Sequence, residues 1–412
     1  MRSNYKRLGD FIKEVKIRNK TLEAKNLLGI NIDKFFMPSV ANVIGTDMSV
    51  YKIVKKNQFA CNRMHVGRDY RLPVSMSISE DDFIVSPAYD VFEINDTDIL
   101  YPEYLMMWFT RSEFDRNAWF YTDADVRGGL HWKALCDMQL PIPSIAKQKE
   151  IVKEYNVIQN RIALNKKLIQ KLEDTAQAIY KQWFVDFEFP DENGKPYKSN
   201  GGEMVFNQEL EKEIPKGWMV KRLEEITDQI CVAFVGSVYE YYCDEKVGVP
   251  MLRTTDITES GVSYKHLRYV TKVFHDKNKK SQLKKGDLLV ARHGSNGMPG
   301  IFDAKFEANA LNVIIIKPDG KTISSKLIHC FLSSKSALEH IQGSLGGSVQ
   351  DVLNTQKISD LKLAFPIDLT ISINLSNKLE KIQEIIEYNR RQLDVLESLL
   401  SLLLSKLATI EN

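Results

Sequence analysis

Cysteine is scarce and scattered. Cys61, Cys136, Cys231, Cys243 and Cys330 are odd in number and form no C-x-x-C pair, which argues against a disulfide framework and a zinc knuckle. No apolar stretch approaches the ~18 residues of a membrane span. The leucine-rich stretch around Leu399 to Leu404 stops short at Lys406, and the start MRSNYKRLGDFIKEV has no apolar h-region, so a cytosolic protein is expected. Net charge of either sign is missing too, but the formal value of +2 conceals a segregation. Lys52, Lys55, Lys56, Arg63, Arg68 and Arg71 face only Asp69 within their stretch, and a second basic run extends from Lys265 to Arg292. Acidic residues gather between Glu188 and Glu213. Local basic faces on a near-neutral protein suit contact with a polyanion, although solvated surface explains such clusters equally well.

What the chain has in abundance is length and repetition. At 412 residues it exceeds a single core, so two globular domains with connecting helices are expected. Ile151, Tyr155, Ile158, Ile162, Asn165, Ile169, Leu172, Ala176, Ile179 and Trp183 step by alternating fours and threes, the spacing of a coiled-coil seam. The seam recurs 224 residues on as Leu375, Leu379, Ile382, Ile386, Asn389, Leu393, Leu396, Leu400, Leu403 and Leu407. Both copies carry asparagine in the fifth slot.

The flanking segments repeat as well. Lys6-Arg7-Leu8 matches Lys221-Arg222-Leu223. Leu105, Met106, Phe109 and Ser112 match Leu327, Ile328, Phe331 and Ser334. Leu130, Leu135, Leu140 and Pro143 match Leu353, Ile358, Leu363 and Pro366. The offset drifts from 215 through 222 and 223 to 224, as it does when small insertions accumulate after a tandem duplication of one module and one helix. Within the modules, Phe83 to Ile94, Asp287 to Arg292 and Leu311 to Ile316 have strand character, and Pro102 to Phe120 and Ser325 to Ile341 have helical spacing. Each module is therefore expected to be α+β. From Phe184 to Trp218 the Pro, Gly and Asn content predicts a linker or extended strap.

The first helix, over 146–187, has a length of roughly 60 Å at 1.5 Å per residue. A single seam leaves each helix unstable alone, so pairing within the chain is the simplest outcome. An antiparallel pair puts one module at each end; a parallel pair puts both at one end. In the antiparallel case Asn165 and Asn389 fall in neighbouring central layers, where a hydrogen bond between them can fix register.

Several stretches resemble the specificity subunit of Type I restriction-modification systems. They are LPIPSIAKQKEIV (Leu140 to Val152), which runs into the long helix, and the strap DFEFPDENGKPYKSNGGEMV (Asp186 to Val205). IPKGWMVKRLEEI (Ile214 to Ile226) and GDLLVARHGSNGMPGIF (Gly286 to Phe302) complete the set, together with the half-repeat itself. The resemblance implies two α+β target recognition domains, 1–145 and 218–368, and two conserved helices, 146–187 and 369–412, forming an antiparallel coiled coil with a strap at 188–217. It implies that each domain reads one half of a split DNA target while the helices set the unread spacer. The chain is then no enzyme: two modification subunits carrying S-adenosylmethionine methylate adenine, and motor-nuclease subunits restrict. In keeping with this, the sequence holds no N-P-P-Y or D-P-P-Y motif, no G-x-x-x-x-G-K-[ST] loop and no convincing metal cluster.

DNA-contact candidates in the first module are Arg63, His65, Arg68 and Arg71, with Arg127 beside Gly128 and Gly129. Those in the second are Arg253, Arg292, His293, Ser295, Asn296 and Gln350. Arginine binds guanine O6 and N7 bidentately or anchors phosphate, and Asn309 and Asn312 are possible adenine readers. Salt-bridged surface is the plain alternative for each. Ser86-Pro87-Ala88-Tyr89 lacks the first residue and second proline of a methyltransferase tetrapeptide, and the strap carboxylates Asp186, Glu188, Asp191 and Glu192 read as structural. Two alternatives to the main reading are a specificity chain serving a combined cleavage and methylation partner, and a helical scaffold that binds no DNA.

Overall fold

The computed structural model of the chain describes residues 5–40, 45–64, 66–122, 128–258, 261–292, 297–343 and 353–409. They form two compact units, Met1–Leu164 with Leu393–Asn412, and Asn165–Gln392. Each unit thus contains a module and one end of both long helices. Among the described residues no helix is long and apolar enough to cross a membrane.

The first unit begins with β1 (Tyr5–Arg7) and β2 (Ile12–Val15), followed by β3 (Phe59–Cys61), β4 (Val74–Met76), β5 (Asp90–Ile94) and β6 (Gln139–Pro141). The sheet order is β2-β5-β3-β4, antiparallel throughout, and β1 pairs separately with β6. The strand expected over Phe83 to Ile94 is two strands, because the Tyr89 N–H donates to the Ser86 carbonyl (3.0 Å) and folds Ser86-Pro87-Ala88-Tyr89 into a turn. The helical stretch is likewise two helices, α1 (Pro102–Phe109) and α2 (Ser112–Phe120), the first opened by proline at its first position, where no N–H is needed. Leu8, Phe59, Phe92, Leu105, Phe109, Leu130, Leu135 and Leu140 are buried in one core. Ile151 and Val152 of the long helix α3 (Ile145–Tyr180) close this core, together with Leu407 from the far end of the chain.

Past Tyr180, α3 ends in a wider turn, in which the Asp186 N–H reaches the Lys181 carbonyl (2.9 Å), and Phe187 then takes a left-handed φ of 62°. The strap that follows is ordered and packed. It contains the hairpin β7 (Met204–Asn207) and β8 (Lys212–Pro215), and its aromatic residues gather on Trp218. The ring centroids of Phe184, Phe187 and Phe189 lie 5.0, 5.4 and 5.2 Å from that of Trp218. The strap carboxylates make turns. Asp191 accepts from the N–H groups of Lys195 and Asn193, bonds that hold its carboxyl below the usual range, and Glu188 accepts from Ser199. Among the described residues no cluster of side chains is arranged to hold a metal ion.

The second module repeats the six strands named in the first. Its elements are β9 (Trp218–Arg222), β10 (Thr227–Val232), β11 (Leu288–Ala291), β12 (Pro299–Ile301), β13 (Val313–Pro318) and β14 (Lys362–Pro366). The sheet order β10-β13-β11-β12 is the order of the first module, and β9 pairs with β14 as β1 does with β6. Helices α4 (Ser325–Leu332) and α5 (Lys335–Gly343) occupy the places of α1 and α2. The core residues Leu223, Leu327, Phe331, Leu353, Ile358 and Leu363 are those matched in sequence, and every one is buried. This module adds a further four-stranded sheet that includes Val249–Arg253.

The last helix is α6 (Leu369–Lys406). In the second unit it runs antiparallel to α3: Asn165 meets Gln392, Glu173 meets Arg390, and Trp183 lies under Lys378. In the first unit Ile151, Val152 and Tyr155 share a core with Leu404 and Leu407, the same antiparallel sense. All twenty seam positions are buried or half-buried. The two seam asparagines bond separately. Asn165 donates to Gln392 across the pair (3.4 Å), while Asn389 donates to the Ile385 carbonyl of its own helix (2.8 Å).

Candidate nucleic-acid interface

In the first module the residues after β3 form a short helical turn, Val66–Asp69, held against a glycine. The Gly67 N–H donates to the Gly128 carbonyl (2.7 Å), and a Cβ on Gly67 would lie 2.6 Å from the Gly128 Cα. Neither position accepts a side chain without movement of backbone. Arg63 bonds Asp90 and the Leu130 carbonyl, and its guanidinium carbon lies 6.0 Å from the Trp132 ring centroid. A shallow cleft of about 590 Å³ opens beside it, lined also by His131, Lys133 and Asp137. Arg68 and Arg71 are exposed and carry ion pairs to Asp69 (2.6 Å) and Asp33 (2.9 Å). Such surface pairs contribute little stability and exchange readily for another anion. His65 and Arg127 lie outside the described residues.

Sequence reasoning missed an aromatic surface beside these arginines. Tyr70, at a left-handed φ of 56°, sets its ring 5.2 Å from Trp119, and both are exposed. Phe120 and Tyr121 follow and are exposed as well, Phe120 at 78%. The run Trp119-Phe120-Tyr121 was the available signal, hidden because the apolar spacing of 102–120 also fits a core-facing helix. In the second module the residues matched to Trp119 and Phe120 are Ile341, which is fully buried, and Gln342. The matched place in the second module therefore carries no such aromatic pair.

In the second module Arg253, Arg292 and Asn312 are brought together at strand ends. Arg253 binds Asp256 through two guanidinium nitrogens (3.1 and 3.0 Å). Arg292 donates from Nε to the Leu353 carbonyl (3.2 Å) and from Nη1 to Asn312 Oδ1 (3.1 Å). Thr254 Oγ1 fixes the Asn312 carbonyl (3.0 Å). Asn309 is fully buried, with its Oδ1 accepting from the Ala310 N–H and its Nδ2 3.4 Å from His275 Nδ1. Burial also pushes the His275 imidazole below its ordinary range. His293, Ser295, Asn296 and Gln350 lie outside the described residues.

Comparison with known proteins agrees with this arrangement. Residues 215–398 match the family model described as the Type I restriction modification DNA specificity domain. The chain is 27% identical over 294 residues to the Type I restriction enzyme MjaIX specificity subunit of Methanocaldococcus jannaschii, covering 69% of this chain and 64% of that protein. It is 27% identical over 240 residues to the EcoBI specificity subunit of Escherichia coli, covering 57% of this chain and 49% of that one. The matched region thus spans just under two thirds of the first relative and about half of the second. In fold, the S subunit of the Type I restriction-modification system from M. genitalium superposes with a TM-score of 0.57 at 12% identity, over 99% of this chain and 96% of that one. With its duplicated modules, its paired helices and these relatives, the chain is similar to the specificity subunits of Type I restriction-modification systems, and its residues 215–398 match their DNA specificity domain.

Proposed function

We propose that the chain reads a split DNA target for a Type I restriction-modification complex, one half-site per module, with the two helices setting the spacer. The observation that carries this reading is the duplication: one sheet order, one helix pair and one arginine at a strand end occur twice. A reader built twice suits a target written in two parts. The chain itself performs no chemistry. Adenine methylation, with S-adenosylmethionine, belongs to two modification subunits, and cleavage to motor-nuclease subunits, all acting on DNA in the cytoplasm. Exposed apolar side chains on the helices support docking of the modification subunits: Val157, Leu164, Val395 and Leu399 in the first unit, and Leu168, Ile385 and Tyr388 in the second. Base contact is assigned to Arg68, Arg71 and Arg253, and to His65, Arg127, His293, Ser295, Asn296 and Gln350.

The test is to co-express the chain with its modification subunit in a methylation-free host and map N6-methyladenine across the genome. The expected result is a two-part motif with a fixed unread gap and an adenine modified on each strand. Replacing the segment up to Leu140 by that of a relative is expected to change one half of the motif and leave the other half and the gap intact. An undivided motif, or no methylation by a stable complex, overturns the reading.

A further inference from the structure

Arg63 and Arg292 make the same hydrogen bonds to a matched leucine in the two modules, although they are not at matched positions of the repeat, and the structure gives them different electrical states. Each stands just past the strand that pairs with the middle of its sheet, β3 or β11. In each module a leucine matched by the repeat, Leu130 or Leu353, donates its N–H to the arginine carbonyl (3.0 and 3.2 Å). The arginine side chain returns a hydrogen bond to the carbonyl of that same leucine. The result is a closed ring of bonds, present twice, that staples the chain re-entering the module to the end of a core strand.

The third partner differs. Residue 90 at the start of β5 and residue 312 just before β13 are equivalent, 222 apart, and they are aspartate and asparagine. Asp90 forms an ion pair with Arg63, and their side chains are only 14% and 21% exposed, so the first guanidinium is cancelled. Asn312 offers Arg292 a neutral carbonyl oxygen at 3.1 Å. Among the described residues no carboxylate forms an ion pair with Arg292. Its neighbour Arg253 is neutralised by Asp256 and holds it through two bonds. A guanidinium has five N–H donors, of which Arg292 spends two on neutral acceptors that aim it without discharging it. A pre-aimed cation that no described carboxylate compensates, with donors to spare, is what an oxygen of a phosphodiester binds.

We propose that Arg292 anchors a backbone phosphate of the DNA held by the second module, while its counterpart Arg63 is a neutralised staple. This rests on the reading that the modules bind DNA, and it divides labour between two arginines that make the same bonds to a matched leucine. The salt dependence of binding isolates the charge, because each neutralised phosphate contributes about 0.9 to the slope of log affinity against log salt. The measurement uses the full chain with its modification subunits and a duplex carrying the target found by methylation mapping.

Asn312→Asp installs in the second module the carboxylate that the first already has, at a φ of 56° that aspartate tolerates. It is expected to lower the slope by about one with the unfolding temperature unchanged or raised. An unaltered slope in a folded Asn312→Asp complex overturns the proposal. Should aspartate disturb the turn, Arg292→Lys and Arg292→Gln make the same test. Slopes that differ by about one support the anchor, and equal slopes overturn it. The corresponding pair at Arg63 is expected to give equal slopes, and a difference there overturns the contrast between the modules. A wild-type complex with no affinity for the duplex instead removes the DNA-binding reading itself.

Discussion

Glu173→Leu is expected to weaken the second unit by about 3–5 kcal/mol, the cost of leaving a buried charge unpaired. Lys326, on α4, has a side chain only 1% exposed, and its ammonium pairs with Glu173 of α3. Arg390 of α6 reaches the other oxygen of Glu173 (3.5 Å) and also Asp303 (3.7 Å), which accepts from Tyr264 (2.6 Å). Two further contacts seat α4 on α6: the Ser324 N–H donates to Ser376 Oγ (3.0 Å), and Glu380 accepts from the Lys326 N–H. Burial raises the Glu380 carboxyl above its usual range. Removing Glu173 strands a cation with no route to water. Lys326→Met removes the buried charge and leaves Glu173 a quarter exposed with Arg390 beside it, so the expected loss is much smaller. The double variant should recover most of the difference. Hydrogen exchange in peptides covering Ser325–Leu332 of the full chain measures all three, and equal losses from the two single variants contradict the account. At the matched place in the first module stands Tyr104, whose hydroxyl donates to the Pro141 carbonyl (3.1 Å). The ionic seat therefore has no counterpart at that position.

Trp218→Ala is expected to cost about 3–5 kcal/mol, the usual range for deleting a large buried ring. Its consequence is local. Trp218 is 7% exposed and holds three phenylalanines, one at the end of α3 and two in the strap, and Phe189 in turn stacks on Tyr197 (4.7 Å). Without the indole the strap loses the surface that makes a Gly-rich and Pro-rich segment adopt one path. Limited proteolysis should then cut between residues 190 and 203, where the wild type is expected to resist, whereas Trp218→Phe should keep most of the protection. Cleavage of the wild type at the same rate would show that the strap is not held by this cluster.

The helix seams and the duplication were legible because both are periodicities, and a period survives without knowledge of what it touches. The strand order was not, since β5 and β13 run through the middle of their sheets beside partners far away in sequence. The strap was legible only as composition. The spacing of Phe187, Phe189, Tyr197 and Trp218 has no period, so its burial emerges only when the chain folds back on itself. The arginines show the limit most clearly. Arg63 and Arg292 look alike as candidates, and what separates them is one atom's difference at residues 90 and 312, each distant from its arginine along the chain. The seam asparagines teach a similar lesson. The heptad places them centrally, but whether each bonds across the pair or back to its own helix depends on rotamers that no spacing encodes.

The division into units also dictates an order of manufacture. Residues 165–392 form an uninterrupted stretch that can close its core while later residues are still being made. The first unit cannot, because Leu407 is fully buried in its core and Tyr5 donates a hydrogen bond to the Ala408 carbonyl (2.9 Å). Synthesis at ~5–20 residues per second ordinarily lets amino-terminal domains fold first. Here the strands of the first module wait for Leu407 and Ala408, and the second unit forms in the interval. A message broken before Leu407 therefore yields a product whose first unit lacks part of its core, which exposes that unit to proteolysis.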